Sequence, residues 1–256
     1  MSIDIWERHL IEQDRLDTVA DNVLYKADEV FQSAHKILDL GAGYGHQLAP
    51  LAREFPDKQF VGVDNDATAT TSARANYRLS NTSFVHADAE DGTLADRIGT
   101  FDYIIARLLV QHLSSVSVFA RTVSALLNRG GGVFLIDVHE PSKRFVPEMR
   151  EYSAIFRTFR EYQLKRRDNE EILALPIFLK RLGFAITSET IVVKNTDTDF
   201  AKDRLHTVLA TNLSVLEMVY KIPGDYAAAR DELQYWSGAA DAFGSLGDYR
   251  LRARKG

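Results

Sequence analysis

Cysteine is absent from all 256 residues. That removes disulfide frameworks, thiolate nucleophiles, iron–sulfur clusters and Cys-ligated zinc together, and no metal site is expected. No apolar run approaches the roughly 18 residues that a membrane span requires. An excess of positive charge is missing as well. Lys and Arg number 31 against 36 Asp and Glu, for a net charge of −5, so no global field recruits nucleic acid or an anionic membrane. The stretch from Met1 to Arg8 breaks its apolar residues with acids and bases, unlike a secretory leader. A cytoplasmic chain with neither nucleic acid nor membrane as partner is expected.

What is present is ordinary globular composition, 45% hydrophobic and 26% charged, in a length that suits one large core with helical additions. Short apolar runs recur at 36–40, 60–64, 83–87, 101–106 and 133–137. They do not alternate with polar residues, as expected of strands buried on both faces. Between them lie stretches of helical spacing. Over 116–127, Val116, Phe119, Val123, Leu126 and Leu127 recur at three- and four-residue steps, Ser114 or Ser115 offers a cap, and Gly130-Gly131-Gly132 offers a left-handed stop. Strands spaced by helices in this way give right-handed crossovers and a parallel sheet. The fold class expected is therefore α/β, doubly wound. Residues 4–31 read as helix, 141–167 as a long amphipathic helix, 172–182 and 205–220 as helices, with one more after Pro223 and strands at 185–193 and 249–253. The basic residues from Lys143 to Arg167 are interrupted by Glu148, Glu151 and Glu161 and read as a solvated helix face.

The most informative segment is Asp39-Leu40-Gly41-Ala42-Gly43-Tyr44-Gly45, where an apolar strand runs into glycines and then a helix. Glycines allow a tight turn and let a ligand approach the backbone. His46 stands where a dinucleotide fingerprint needs its third glycine, which argues against NAD, and the GK[ST] of a P-loop is absent. Asp64 ends the second strand, placed to accept a ribose diol. His86-Ala87-Asp88-Ala89 ends the third, where a carboxylate and a backbone amide can meet an adenine edge. Beside these readings stand plainer ones, in which Asp39 caps the turn, His112 is structural, and Tyr152, Phe156 and Phe159 are packing residues.

These motifs, with Phe101-Asp102-Tyr103-Ile104-Ile105-Ala106-Arg107 and Gly130-Gly131-Gly132-Val133-Phe134, resemble in order and spacing the class I S-adenosylmethionine-dependent methyltransferases of the small-molecule type over about residues 35–140. The resemblance implies a seven-stranded, mostly parallel, Rossmann-like sheet with lid helices. It divides a single domain into an N-terminal helical cap (1–34), a cofactor core (35–140) and substrate-shaping additions (141–256). It also implies S-adenosylmethionine as cofactor and S-adenosylhomocysteine as product. Asp39, Gly41, Ala42, Gly43 and Gly45 would serve the methionine part, Asp64 and Asn65 the ribose and adenine, Asp88 and Ala89 the adenine, and Arg107 the ammonium through its backbone carbonyl. Candidate bases are His112, His139 and Glu140; candidate acceptor contacts are Tyr25, Tyr152 and Phe156. By the same analogy Trp6, His9 and Tyr25 close over the cofactor.

The expected activity is methyl transfer to an oxygen, nitrogen or carbon nucleophile of a small molecule, of the kind found in secondary metabolism, by a monomer or homodimer. Two alternatives keep the cofactor: a biosynthetic cyclase or rearrangement enzyme that does not transfer the methyl, and a non-catalytic cofactor-binding subunit. A DNA or protein methyltransferase is disfavoured, because Ala106-Arg107-Leu108-Leu109 stands where an Asp/Asn-Pro-Pro-aromatic motif would be.

Overall fold

A computed structural model describes residues 5–164, 172–196 and 198–256, and of residues 14–20 and 164 the backbone alone. The first half runs α1 (Ile5–Lys26), α2 (Glu29–Ser33), β1 (Lys36–Leu40), α3 (Leu48–Glu54), β2 (Gln59–Asp64), α4 (Ala67–Asn76), β3 (Thr82–His86), α5 (Leu94–Ile98), β4 (Phe101–Arg107), α6 (Val116–Leu126) and β5 (Leu127–Val138). The second half holds β6 (Arg144–Val146), α7 (Arg150–Leu164), α8 (Leu175–Arg181), β7 (Phe184–Asn195), α9 (Asp199–Met218), α10 (Tyr226–Gly238) and β8 (Phe243–Lys255). The chain divides into two compact units. One comprises Thr18–Val138, Arg167–Ile191 and Tyr249–Gly256; the other comprises Met1–Asp17, His139–Arg166 and Val192–Asp248.

In the first unit, β1 pairs in parallel with β2 and β4, β2 with β3, and β4 with β5. The strand order is β3-β2-β1-β4-β5-β8, with β7 also paired to β8. Side chains alternate across this sheet with the two-residue period of a strand. Leu38, Leu40, Ile104, Ala106, Val133 and Leu135 face one way, into a core completed by Phe119 and Leu126 of α6 and Leu175 and Leu179 of α8. Ile37, Tyr103, Ile105, Phe134 and Ile136 face the other, against Tyr25 of α1, Phe31 of α2, Leu48 and Leu51 of α3 and Ala73 of α4. Both faces are covered, which is why the strands are apolar throughout.

The last strand resolves a difficulty in its own sequence, where arginine alternates with apolar residues. Tyr249, Leu251 and Ala253 enter the first core. The arginines on the opposite face meet polar groups: Arg250 lies at ion-pair distance, 4.0 Å, from Asp21, Arg252 donates to the Leu24 carbonyl at 3.0 Å, and Arg254 donates to the Gly130 carbonyl at 3.0 Å. Asp21 also accepts from Arg107 Nε at 2.9 Å, both side chains being almost fully buried.

Three expectations need correction. The helix expected over 4–31 breaks into two, because Asp28 turns its carboxylate onto the Val30 amide and starts α2 as an N-cap. Gly130–Gly132 do not end a helix; α6 stops at Leu126 and the glycines lie inside β5. Their smallness is needed against β4, since a Cβ on Gly131 would stand 2.8 Å from the Asp102 carbonyl oxygen. The helix expected over 141–167 begins only at Arg150, after a 3-10 turn at Glu140–Ser142 and β6. Extended backbone before Pro147 accounts for this. Residue 4 and residues 165–167 of those expected helices lie outside the described residues.

In the second unit β6 pairs antiparallel with Phe243–Ser245. Its core is helical, formed by Tyr152, Ile155 and Phe159 of α7, Leu205, Leu209 and Leu213 of α9, and Ala229, Leu233 and Trp236 of α10. Glu232 accepts from the amides of Arg150, Glu151 and Tyr152 at 3.0, 2.8 and 3.2 Å, a carboxylate closing the positive end of α7. Among the described residues no helix is long and apolar enough to cross a membrane.

Replacing Asp21 by Ala leaves Arg107 and Arg250 buried without that carboxylate. Equilibrium denaturation is expected to show a loss of about 3–5 kcal/mol. The double variant Asp21→Leu/Arg107→Met is expected to recover a large part of it.

Candidate cofactor site

The loop after β1 is shaped by backbone that only glycine adopts cheaply: φ is +81° at Gly41, +51° at Gly43 and +79° at Gly45. The Gly41 and Ala42 amides both donate to the Val63 carbonyl, at 2.8 and 3.0 Å, which folds the loop across the end of β2. Gly45 then turns inward. A Cβ there would stand 2.7 Å from the Phe84 ring, so the chain drops into α3 with Tyr44 and Gly45 buried and Gly41, Ala42 and Gly43 left half-exposed.

Asp64 fixes this arrangement. One carboxylate oxygen accepts from the Gly43 amide at 2.8 Å and the other from the Asp66 amide at 2.9 Å. Burial raises its pKa above the ordinary 3.8, and the two amides oppose the rise by favouring the charged form. Each oxygen retains a further lone pair. Asp66 caps α4 through the Thr68 and Ala69 amides at 2.7 and 3.1 Å. The His86 ring, by its Nε2, is 3.0 Å from the carbonyl of exposed Asn65. Asp64 and His86 are register partners across β2 and β3. Asp88, two residues beyond, is exposed and accepts from the Glu90 amide at 2.8 Å, while Ala89 is buried. Thus Gly41–Gly43, Asp64–Asn65 and Asp88 line up along the C-terminal ends of three adjacent parallel strands, where doubly wound sheets bind ligands.

Beneath the loop lies a buried polar group. Asp39 is buried in β1. Tyr25 has no exposed surface; its ring meets Phe134 edge-on and its hydroxyl accepts from Gln47 at 3.0 Å. Burial pushes the Tyr25 hydroxyl pKa well up, and Asp21, Arg107 and Asp39 all act on it electrostatically. Tyr25 therefore has no surface to offer an acceptor. The Arg107 side chain is committed to Asp21 rather than to the exposed loop.

His112 ends a 3-10 turn over Val110–His112 and is exposed. That turn is held by Asp137, whose carboxylate accepts from the Val110 and Gln111 amides at 2.7 and 3.3 Å. Glu90 accepts from the amides of Ser114 and Ser115 at 2.7 and 2.6 Å and so sets the start of α6. Neither carboxylate was picked out by motif. For Asp137 the signal was present, since it ends an apolar strand as Asp64 does.

The remaining candidates belong to the second unit. The His139 Nδ1 lies 2.7 Å from Ser142 Oγ, and its amide donates to the Gly247 carbonyl at 2.7 Å. Glu140 opens the turn that follows. Tyr152 is buried, donates its hydroxyl to Asn212 at 3.2 Å and stacks on half-buried Phe156 with centroids 6.4 Å apart. In that unit His9 meets Thr211 at 3.0 Å and Trp6 packs edge-on with Tyr220. Among the described residues no three His, Asp or Glu side chains form a metal site.

Residues 37–131 match the family model described as a methyltransferase domain. A ubiquinone biosynthesis O-methyltransferase of Chelativorans sp. (strain BNC1) is 28% identical over 141 residues, 53% of this chain and 54% of that protein. The chain spans about half or less of the length of the curated relatives it matches, from 18% to 54% for the first three. Two solved structures share the fold. Coclaurine N-methyltransferase, bound to N-methylheliamine and S-adenosylhomocysteine, has a TM-score of 0.59 at 16% identity, covering 93% of this chain and 70% of that one. The [4+2]-cyclase SpnF has a TM-score of 0.57 at 20% identity, covering 92% and 80%. The open glycine backbone and the spare lone pairs of Asp64 suit a nucleoside bearing an amino-acid arm, and residues 37–131 match a methyltransferase domain, so that this chain is similar to the S-adenosylmethionine-dependent methyltransferases.

Proposed function

We propose that the chain transfers the methyl group of S-adenosylmethionine to a small-molecule acceptor and releases S-adenosylhomocysteine. The glycine loop pinned by Asp64 at the ends of three parallel strands carries this reading. When bound, S-adenosylmethionine supplies a methyl group on positively charged sulfur. The chain's own residues then have to bind, align and exclude water. The half-exposed backbone of Gly41, Ala42 and Gly43 takes the methionine arm, with Gly45 and Asp39 shaping the loop from behind and the Arg107 carbonyl receiving the ammonium. Asp64 accepts the ribose hydroxyls through its unused lone pairs, Asn65 flanks the adenine, and Asp88 with the Ala89 backbone reads its edge. Tyr25, closed off from solvent, acts only in support.

The likeness to an O-methyltransferase favours a hydroxyl acceptor, and a hydroxyl must lose its proton as the new bond forms. The His139 ring is held by a neighbour, Ser142. We assign it the proton, with Glu140 nearby in sequence and exposed His112 in a minor role. Half-buried Phe156 holds the acceptor, with buried Tyr152 stacked behind it. The cyclase among the structural neighbours makes formation of S-adenosylhomocysteine the readout that separates methyl transfer from a reaction that leaves the methyl in place.

Calorimetric titration with S-adenosylhomocysteine is expected to give about tenfold weaker binding for Asp64→Asn, which keeps one acceptor oxygen, and a larger loss for Asp64→Ala. Because burial raises the Asp64 pKa, acidification protonates this carboxylate at a higher pH than an ordinary aspartate. Wild-type affinity should fall as pH drops through that raised value, and Asp64→Asn should lack this dependence. With an acceptor found by screening for S-adenosylhomocysteine release, His139→Gln is expected to lower kcat about 100-fold or more and His112→Gln to change it little. Equal effects of the two would remove His139 as the base.

A further inference from the structure

Lys143 contradicts its reading as one of a row of solvated cations. Its ammonium lies 3.4 Å from the centroid of the Phe156 ring, 5.3 Å from Tyr152 and 6.0 Å from Phe145. The three rings brace one another, Tyr152 stacked on Phe156 and Phe145 edge-on to both Tyr152 and Trp236. Tyr152, Phe156 and Arg160 recur every fourth residue along α7 and so share one stripe of that helix.

The charges around this enclosure do not balance. Among the described residues neither Lys143 nor Arg160 has a carboxylate within ion-pair distance. Arg160 donates to the neutral amide oxygen of Gln163 at 3.1 Å. The charged groups that act on Lys143 are Glu140, from the preceding turn, and Arg160, from α7. Burial lowers the lysine's pKa to about 8, Glu140 pulling upward and Arg160 downward. Buried charges are as a rule paired. Here Lys143 and Arg160, both half-buried, act on one another electrostatically, and the Glu140 carboxylate ion-pairs with neither. A cationic ligand would have to displace an ammonium that already fills the cage, whereas an anion would complete it.

We propose that Lys143 and Arg160 form a binding site for an organic anion, a carboxylate or phenolate on a flat apolar body that lies beside Phe156. Resting on the reading that Phe156 takes the acceptor, this names the acceptor as a planar acid. A lysine whose charge is lost near pH 8 makes the site switchable, and arginine, charged at every working pH, would fix it on.

The test titrates the full chain with benzoate at neutral pH, following Trp236 fluorescence or heat, beside benzyl alcohol and benzyltrimethylammonium. Saturable binding of benzoate alone is expected. Lys143→Met should weaken it about tenfold or more, and Arg160→Gln should weaken it less. Wild-type affinity should fall as pH rises past about 8, while Lys143→Arg should hold its affinity there. Failure of benzoate to bind, equal binding by Lys143→Met, or a preference for benzyltrimethylammonium that strengthens in Lys143→Met would each overturn the proposal. S-adenosylhomocysteine affinity, measured in parallel, should not change in Lys143→Met. A wild type that binds benzoate through Lys143 but not S-adenosylhomocysteine would keep the anion site and remove its identification with a methyl acceptor.

Discussion

The carboxylate of Asp64 joins two pieces of chain that are 21 residues apart. With one oxygen on the Gly43 amide and the other on the Asp66 amide, it ties the loop leaving β1 to the turn leaving β2. Each neighbouring feature leans on that tie. The Val63 carbonyl just before it receives the Gly41 and Ala42 amides, and Asp66 just after it caps α4. A charged group held this deep is tolerable because the backbone amides replace much of the water it has lost. The same carboxylate keeps lone pairs for a ligand, so the device that orders the loop also reads what lands on it.

A second carboxylate, Asp21, does for the opposite side of the sheet what Asp64 does for its end. It gathers Arg107 from β4 and Arg250 from β8 under α1, while Tyr249, Leu251 and Ala253 fill the core on the other face. The result is a strand that is amphipathic yet inside the sheet, its polar face covered by a helix instead of by water. Replacement of one member leaves the others charged and buried, which is why such groups cost more to break singly than to remove together.

Much of the fold was legible because buried parallel strands leave an unmistakable trace. The runs at 36–40 and 101–106 became β1 and β4 almost residue for residue, and Ser115 capped α6. The failures came where local cues compete. Gly130–Gly132 looked like a helix stop, yet the close approach of β4 required them inside a strand. The stretch before Pro147 falls within the helix expected over 141–167, yet it is extended and pairs with β8. At the candidate site the glycines and Asp64 could be read from one short segment each. Asp21, Gln47 and Glu90 could not, since each acts on a partner far away in sequence. Lys143 was hidden for the same reason, since Tyr152 and Phe156, two of the rings beside it, lie on a different element, α7.

Hydrogen exchange of the wild-type chain, with and without S-adenosylhomocysteine, tests the central claim most directly. Slowed exchange concentrated in the peptides covering 40–45, 64–66 and 87–89 is the expected result, since those segments meet along one edge of the sheet. Unchanged exchange in all three, or protection confined to other segments, would contradict the assignment of this loop as the cofactor site.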